Sequence, residues 1–420
     1  MAAPRRAAAY GAAAYRDAVG ELPTAFPRPM APNCLKYLRE VLDSGLTSDM
    51  VGRFERAFAE ALGVRHCIAT PGCTPALAIL AAAFDFEPGD EIIVSPITDY
   101  GTLQGLCREG YIPVFPDVEP GTVNVSAATI EPCITDRTRA ILVVHMTGLI
   151  CDMDPINRLA QERGLIVYED ACQAVFGEYK GRLAGTLSKA AGFSFDAEKT
   201  LGSDVAGCVV TDDDELAERL RFIGHSRGAE MQAHFGRKHT APGYAHRMTQ
   251  CAAAICLAQL ETIREQVAHI DEMARLLSRL VAEIPGVTPL PIPDYVNVYS
   301  CWMFGMSIDP DAFSCDAEHF AQQLADAGIP GAGQGRYYLM PEACTFLDRY
   351  ARQKRYPYCT PPASRDYTYG PDTCPTAHQF LRNWIRWSTF CEKYRPEHCE
   401  RAAQIVREVA DRNRRPVRTN

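Results

Sequence analysis

Asp170 and Lys199 are the two side chains whose types and setting suit covalent and acid–base chemistry. Asp170 ends the apolar run Leu165 to Asp170 (LIVYED), and Lys199 lies 29 residues later, just past a second run, Gly192 to Phe195. If these runs are neighbouring parallel strands, both side chains emerge at the same edge of one sheet. A carboxylate and an amine there form either a structural ion pair or a catalytic couple. As an imine the lysine becomes an electrophile, and once freed its amine moves protons.

The neighbouring residues favour the couple. Pyridoxal phosphate requires a lysine for a Schiff base, a carboxylate facing its pyridinium nitrogen and a cup for its phosphate. Gln173, three residues beyond Asp170, is placed to hydrogen-bond the phenolic oxygen or to stack near the ring. The stretch Thr70 to Leu77 (TPGCTPAL) joins a strand to an apolar helix. Amides and a hydroxyl at such a helix start make an anion site, although Gly72 to Thr74 alone reads as an ordinary capped turn. Ser194, five residues before Lys199, adds a second hydroxyl.

The elements that must position these groups alternate. His66–Thr70, Glu91–Ser95, Ile112–Phe115, Ala140–His145, Leu165–Glu169, Gly192–Phe195 and Gly207–Thr211 read as strands. Pro75–Phe84, Thr102–Glu109 and Pro155–Arg163 read as helices between them. Near-continuous apolar strands spaced by helices predict a mostly parallel, seven-stranded α/β sheet covered on both faces. Chemistry then gathers at the strands' carboxyl ends. After about Gln250 the pattern changes to a long helical stretch (252–283), a β-like run (296–308), a helix (316–327), an aromatic-rich loop region, a strand (384–390) and a terminal helix (396–413). The expected division is an N-terminal arm (1–30), a large cofactor-binding domain (31–250) and a smaller α+β domain (251–420).

Taken together, these stretches resemble the DegT/StrS family of sugar aminotransferases, fold-type I pyridoxal-phosphate enzymes, over nearly the whole chain. The resemblance rests on Glu169–Asp170 with Gln173, Tyr179–Lys180–Gly181, Phe193–Ser194–Phe195 with Lys199, Gly207 to Thr211 (GCVVT) and Ala254 to Leu260 (AICLAQL). It implies that Lys199 is the Schiff-base lysine, Asp170 the pyridinium partner and Gln173 a ring neighbour. Cys73, Thr74 and Ser194 then belong to the phosphate and ring pocket. Family members that dehydrate sugars carry histidine at the lysine position, so transamination is the implied chemistry.

The chain departs from the family pattern in places. In Pro96 to Tyr100 (PITDY), Tyr100 stands as the stacking aromatic but Asp99 replaces a threonine. Cys73 and Pro75 alter the phosphate turn, and Gly202 to Ala206 (GSDVA) replaces a glycine-rich turn after Lys199. Ala245 stands where the family has an asparagine that reaches the phosphate across a homodimer interface, with His246 or Arg247 as substitutes. Tyr337 and Tyr338, in a second domain resembling aminotransferases of aminoglycoside pathways, complete the substrate candidates. Trp302 and Phe304 read as core. The implied reaction moves an amino group from glutamate or glutamine to a keto-sugar or keto-cyclitol. The preferred acceptor is a ketone on a sugar ring of a pseudo-oligosaccharide. The alternatives are a free 2-deoxy-scyllo-inosose-type cyclitol, or a relative that binds cofactor or sugar without transaminating.

Composition narrows the partners. The 420 residues carry 43 basic and 52 acidic side chains, a net charge of −9, which argues against nucleic acid or an anionic membrane. No apolar run approaches the roughly 18 to 20 residues of a membrane helix. The alanine-rich start is interrupted too early for a signal peptide. The 17 cysteines are scattered, with no C-x-x-C pair and no zinc-ligand spacing. Buried free thiols, no metal and a cytoplasmic setting are the expectation.

Overall fold

The computed structural model describes residues 21–226, 241–335, 338–359, 361, 363 and 365–416. Most of the expected N-terminal arm, residues 1–20, lies outside these. Among the described residues, seven strands form the main sheet in the order His66–Thr70, Gly207–Thr211, Ala190–Ser194, Ile166–Asp170, Thr138–Val144, Glu91–Val94 and Ile112–Val114. Gly207–Thr211 runs antiparallel to both its neighbours, and the other pairs are parallel. The expected mostly parallel sheet is therefore observed.

The strands are buried on both faces because helices cover both. On one side the Cys73–Phe84 helix is apolar all round and buries Ala76, Leu77, Ile79, Leu80, Ala81 and Ala83. On the other, Phe58 meets Phe193 and Phe195 edge-on at centroid distances of 5.3 and 5.1 Å. Side chains alternate along a strand, so Phe193 and Phe195 on that face turn Ser194 to the opposite one.

The Gln250–Leu260 helix packs against Cys34–Asp43 and Met50–Leu62 of the first half. A separate helix, Ile263–Ala282, follows it where a single long stretch was expected. Its buried Ile263, Val267, Ile270, Met273, Ala274, Leu277 and Val281 keep the helical spacing that faces a core. A four-stranded antiparallel sheet follows, ordered Val287–Pro289, Phe304–Ile308, Trp384–Trp387 and Ala332–Gln334. Trp384, Trp387 and Phe304 are buried there.

The β-like run 296–308 splits into Val296–Val298 and Phe304–Ile308. Its middle crosses to the first half of the chain. Gly148, at φ +88°, lies so close to Ser300 that a Cβ there would sit 1.8 Å from the Ser300 carbonyl oxygen. A second crossing is the short pairing of Tyr338–Leu339 with Ile97–Thr98. Both crossings converge on the carboxyl edge of the main sheet. No helix among the described residues is long and apolar enough to cross a membrane.

Candidate active site

Asp170 ends its strand beside Gly192, the parallel neighbour that leads to Ser194 and Lys199. It is buried, and donors reach both carboxylate oxygens. Thr102 Oγ1 donates to Oδ2 at 2.8 Å, while the Cys172 amide (3.2 Å) and the Cys73 thiol (3.8 Å) approach Oδ1. The Thr102 proton is committed to Asp170, so Thr98 is the donor in the 2.7 Å bond between the two threonine hydroxyls.

Cys73 and Cys172 flank this carboxylate, and the three ligand atoms lie within 4.8 Å of one another. A hydrogen bond to Cys172 and burial push the Cys73 thiol well above its usual range, while the charge of Lys199 pulls the other way. The grouping was invisible in the sequence because no local spacing links the two cysteines.

The phosphate turn precedes the Cys73–Phe84 helix, whose N-terminus has no side-chain cap. Its first-turn amides and its dipole therefore favour an anion. A Cβ on Gly101 would come within 2.3 Å of Thr74 Oγ1, so only glycine admits the Thr74 hydroxyl at the start of the Gly101–Arg108 helix. Asp99, the family departure, accepts from the Gly101 amide, the first of that helix, at 2.8 Å. Ser194 is nearly buried, its hydroxyl 3.4 Å from the Asp196 amide. Gln173 accepts from the Thr147 amide at 2.6 Å, which sets its NH2 end as the donor.

Lys199 stands in the loop after Ser194, with its amide bonded to Asp196 O at 2.9 Å. Arg28 donates to its carbonyl from the N-terminal side. Its Nζ lies 3.7 Å from the centre of the Trp302 ring. Trp302 is half-buried, packs against the core and also presents its ring to the lysine; Phe304 is buried core as expected. Ser300, Cys301, Met303 and Phe304 around it are all buried, so no period in the sequence marked Trp302.

Tyr100, directly before the Gly101–Arg108 helix, packs edge-on against Phe346 (5.9 Å, 75°) and is 41% exposed, and Thr102, two residues on, bonds Asp170. His246 stacks on Tyr244 at 4.7 Å, and the Tyr244 hydroxyl bonds Glu109, beyond the far end of the Gly101–Arg108 helix from Asp170. Arg247 follows in the same loop and is exposed. Tyr338 pairs with Thr98 and so stands at the rim of the site, whereas Tyr337 lies outside the described residues.

A buried carboxylate, a lysine one strand away, a glutamine donor and an uncapped helix start with hydroxyls fit pyridoxal phosphate group by group. Fold and site together define a fold-type I pyridoxal-phosphate-dependent aminotransferase. The chain belongs to the DegT/DnrJ/EryC1/StrS aminotransferase family, matched over residues 30–379, and is a sugar aminotransferase. It is 37% identical over 299 residues to GDP-perosamine synthase of Caulobacter vibrioides (strain ATCC 19089 / CIP 103742 / CB 15), covering 70% of this chain and 79% of that protein. It is 36% identical over 265 residues to the spore coat polysaccharide biosynthesis protein SpsC of Bacillus subtilis (strain 168), covering 61% and 68%. The crystal structure of 3-amino-5-hydroxybenzoic acid synthase superposes with a TM-score of 0.77 at 26% identity, over 91% of this chain and 98% of that one.

Proposed function

We propose that this enzyme transfers an amino group from glutamate or glutamine to a ketone on a sugar ring of a pseudo-oligosaccharide, in aminoglycoside antibiotic biosynthesis in the cytoplasm. The observation that carries the amino-transfer reading is Lys199 in the loop that follows the strand neighbouring Asp170, with Thr102, Cys172 and Cys73 donating to the carboxylate. Bound there, pyridoxal phosphate supplies a carbonyl that takes up amines and a ring that accepts the electron pair of a broken C–H bond.

Asp170 holds the proton on the ring nitrogen. Thr74, Ser194 and the first amides of the Cys73–Phe84 helix hold the phosphate, and Gln173 donates to the phenolic oxygen. Lys199 Nζ would hold the cofactor at rest and, once freed by the amino donor, would take up and release the proton of the donor Cα, and of the acceptor carbon in the reverse half-reaction.

The loop around Lys199 carries Asp196, Glu198 and Asp204. Carboxylates within five residues of the lysine suit an acceptor that already bears amines, which supports the pseudo-oligosaccharide over a free cyclitol ketone. Tyr338 at the rim offers an apolar face and a hydroxyl to a polyhydroxylated ring. The working unit is a homodimer, with the His246–Arg247 loop directed at the partner's cofactor.

The test is a visible spectrum of the purified protein before and after glutamate or glutamine, then mass-spectrometric detection of amine formed on each ketone. A yellow band bleached by donor, with amination of the sugar-ring ketone, supports the reading. Amination of the free cyclitol alone transfers the assignment to that acceptor. A protein that stays colourless with added pyridoxal phosphate removes the amino-transfer reading altogether.

A further inference from the structure

Trp302 belongs to the crossing segment of the second half, yet its ring covers the reactive lysine of the first. The Lys199 Nζ stands 3.7 Å from the ring centre, within the distance at which an ammonium is attracted by the negative face of an indole. Trp302 Nε1–H donates to Glu198 O at 2.8 Å, so the indole is tied to the residue preceding the lysine it covers. Its own amide donates to Thr147 O at 3.0 Å, and the Thr147 amide donates to Gln173. Ser300, two residues earlier, is locked by its hydroxyl to Val175 O at 2.8 Å and by close approach to Gly148. The tryptophan is thus fixed at both ends, by the Glu198–Lys199 backbone and by the loops that follow the Thr138–Val144 and Ile166–Asp170 strands.

We propose that Trp302 is a positioning residue for Lys199: its ring face holds the lysine nitrogen while its N–H fixes that face relative to the lysine's backbone. The inference rests on the reading of Lys199 as the cofactor-bearing lysine. When the donor displaces Lys199, the freed nitrogen stays under the indole, in place for the proton transfer. The second half of the chain thereby sets the geometry of a group carried by the first.

Two variants separate the parts of the contact: Trp302→Phe keeps a ring face and loses the N–H, and Trp302→Leu loses both. In full-length protein stripped of cofactor, an amine-acylating reagent is applied, and peptide mass spectrometry follows Lys199 against exposed Lys36. The ring face holds the lysine nitrogen and keeps it from the reagent. Trp302→Leu should therefore label Lys199 roughly 5- to 30-fold faster, and Trp302→Phe should stay within about threefold of the parent. Labelling of Trp302→Phe as fast as that of Trp302→Leu, or identical labelling in all three proteins, overturns the proposal.

In the cofactor-loaded enzyme, kcat should fall in Trp302→Leu with donor KM nearly unchanged, and Trp302→Phe should rescue most of it. Borohydride reduction followed by peptide mapping keeps the two readings apart. If the parent protein forms no cofactor adduct on Lys199, the functional reading fails, while the labelling series still decides the contact.

Discussion

Thr102 donates its hydroxyl proton to Asp170 and receives one from Thr98, the residue that pairs with Tyr338 of the second half. Two hydroxyls therefore connect the buried Asp170 carboxylate to the strand pairing with Tyr338. Thr102→Val keeps the shape, removes one charged hydrogen bond from Asp170 and strands the Thr98 hydroxyl. Cofactor Kd should rise about 10- to 100-fold, measured by fluorescence titration. Unaltered affinity would show that the bond does not support Asp170.

Asp99 accepts from the first amide of the Gly101–Arg108 helix, within reach of the space that admits Thr74. Its charge opposes a phosphate there, while its bond to that amide needs only an oxygen. Asp99→Asn should bind pyridoxal phosphate about 3- to 10-fold more tightly at low salt, with the gain shrinking as salt screens the charge. A salt-independent change, or weaker binding, would contradict this placement of the carboxylate.

On the proposed function, Lys199→Ala removes both the attachment point and the proton carrier. Turnover should fall by about 10³-fold or more, with the circular dichroism spectrum and the oligomer intact. Turnover close to that of the parent protein would place the chemistry on another residue.

The Cys73 thiol is held well above its usual range, first by its hydrogen bond to Cys172 and then by burial. Only thiolates alkylate quickly. Brief iodoacetamide treatment at pH 7 should modify exposed Cys251 and Cys359 and spare Cys73, as read by peptide mapping. Rapid labelling of Cys73 would mean an open, ionised thiol in the pocket.

Burial pushes the His246 imidazole below its usual range, so the folded chain favours its neutral form. A histidine lowered on folding stabilises the fold at pH values above its unfolded value of about 6.5, and that contribution is lost as the pH falls through the folded value. The urea midpoint should therefore drop on acidification below about pH 6.5. The drop should be smaller in His246→Phe, which keeps the stack on Tyr244. Parallel pH curves for the two proteins would remove His246 from the titration.

The sequence by itself determined the strands, the carboxyl edge and the chemistry at that edge. Apolar runs report burial locally, and the runs Leu165–Glu169 and Gly192–Phe195 read as interior strands with polar groups at or just past their tips. Asp170, Gln173, Ser194 and Lys199 were legible because each lies within a few residues of such a run. Tertiary structure alone decided which distant groups meet them. Cys73 joins Cys172 at Asp170, Thr102 bonds that carboxylate, Tyr338 arrives beside Thr98, and Trp302 packs against the core with its ring face over Lys199. Periodicity encodes which face of an element is buried, not which element from elsewhere in the chain buries it. An aromatic in an apolar run reads the same whether a core or a lysine lies beneath it, because that choice is made by long-range packing.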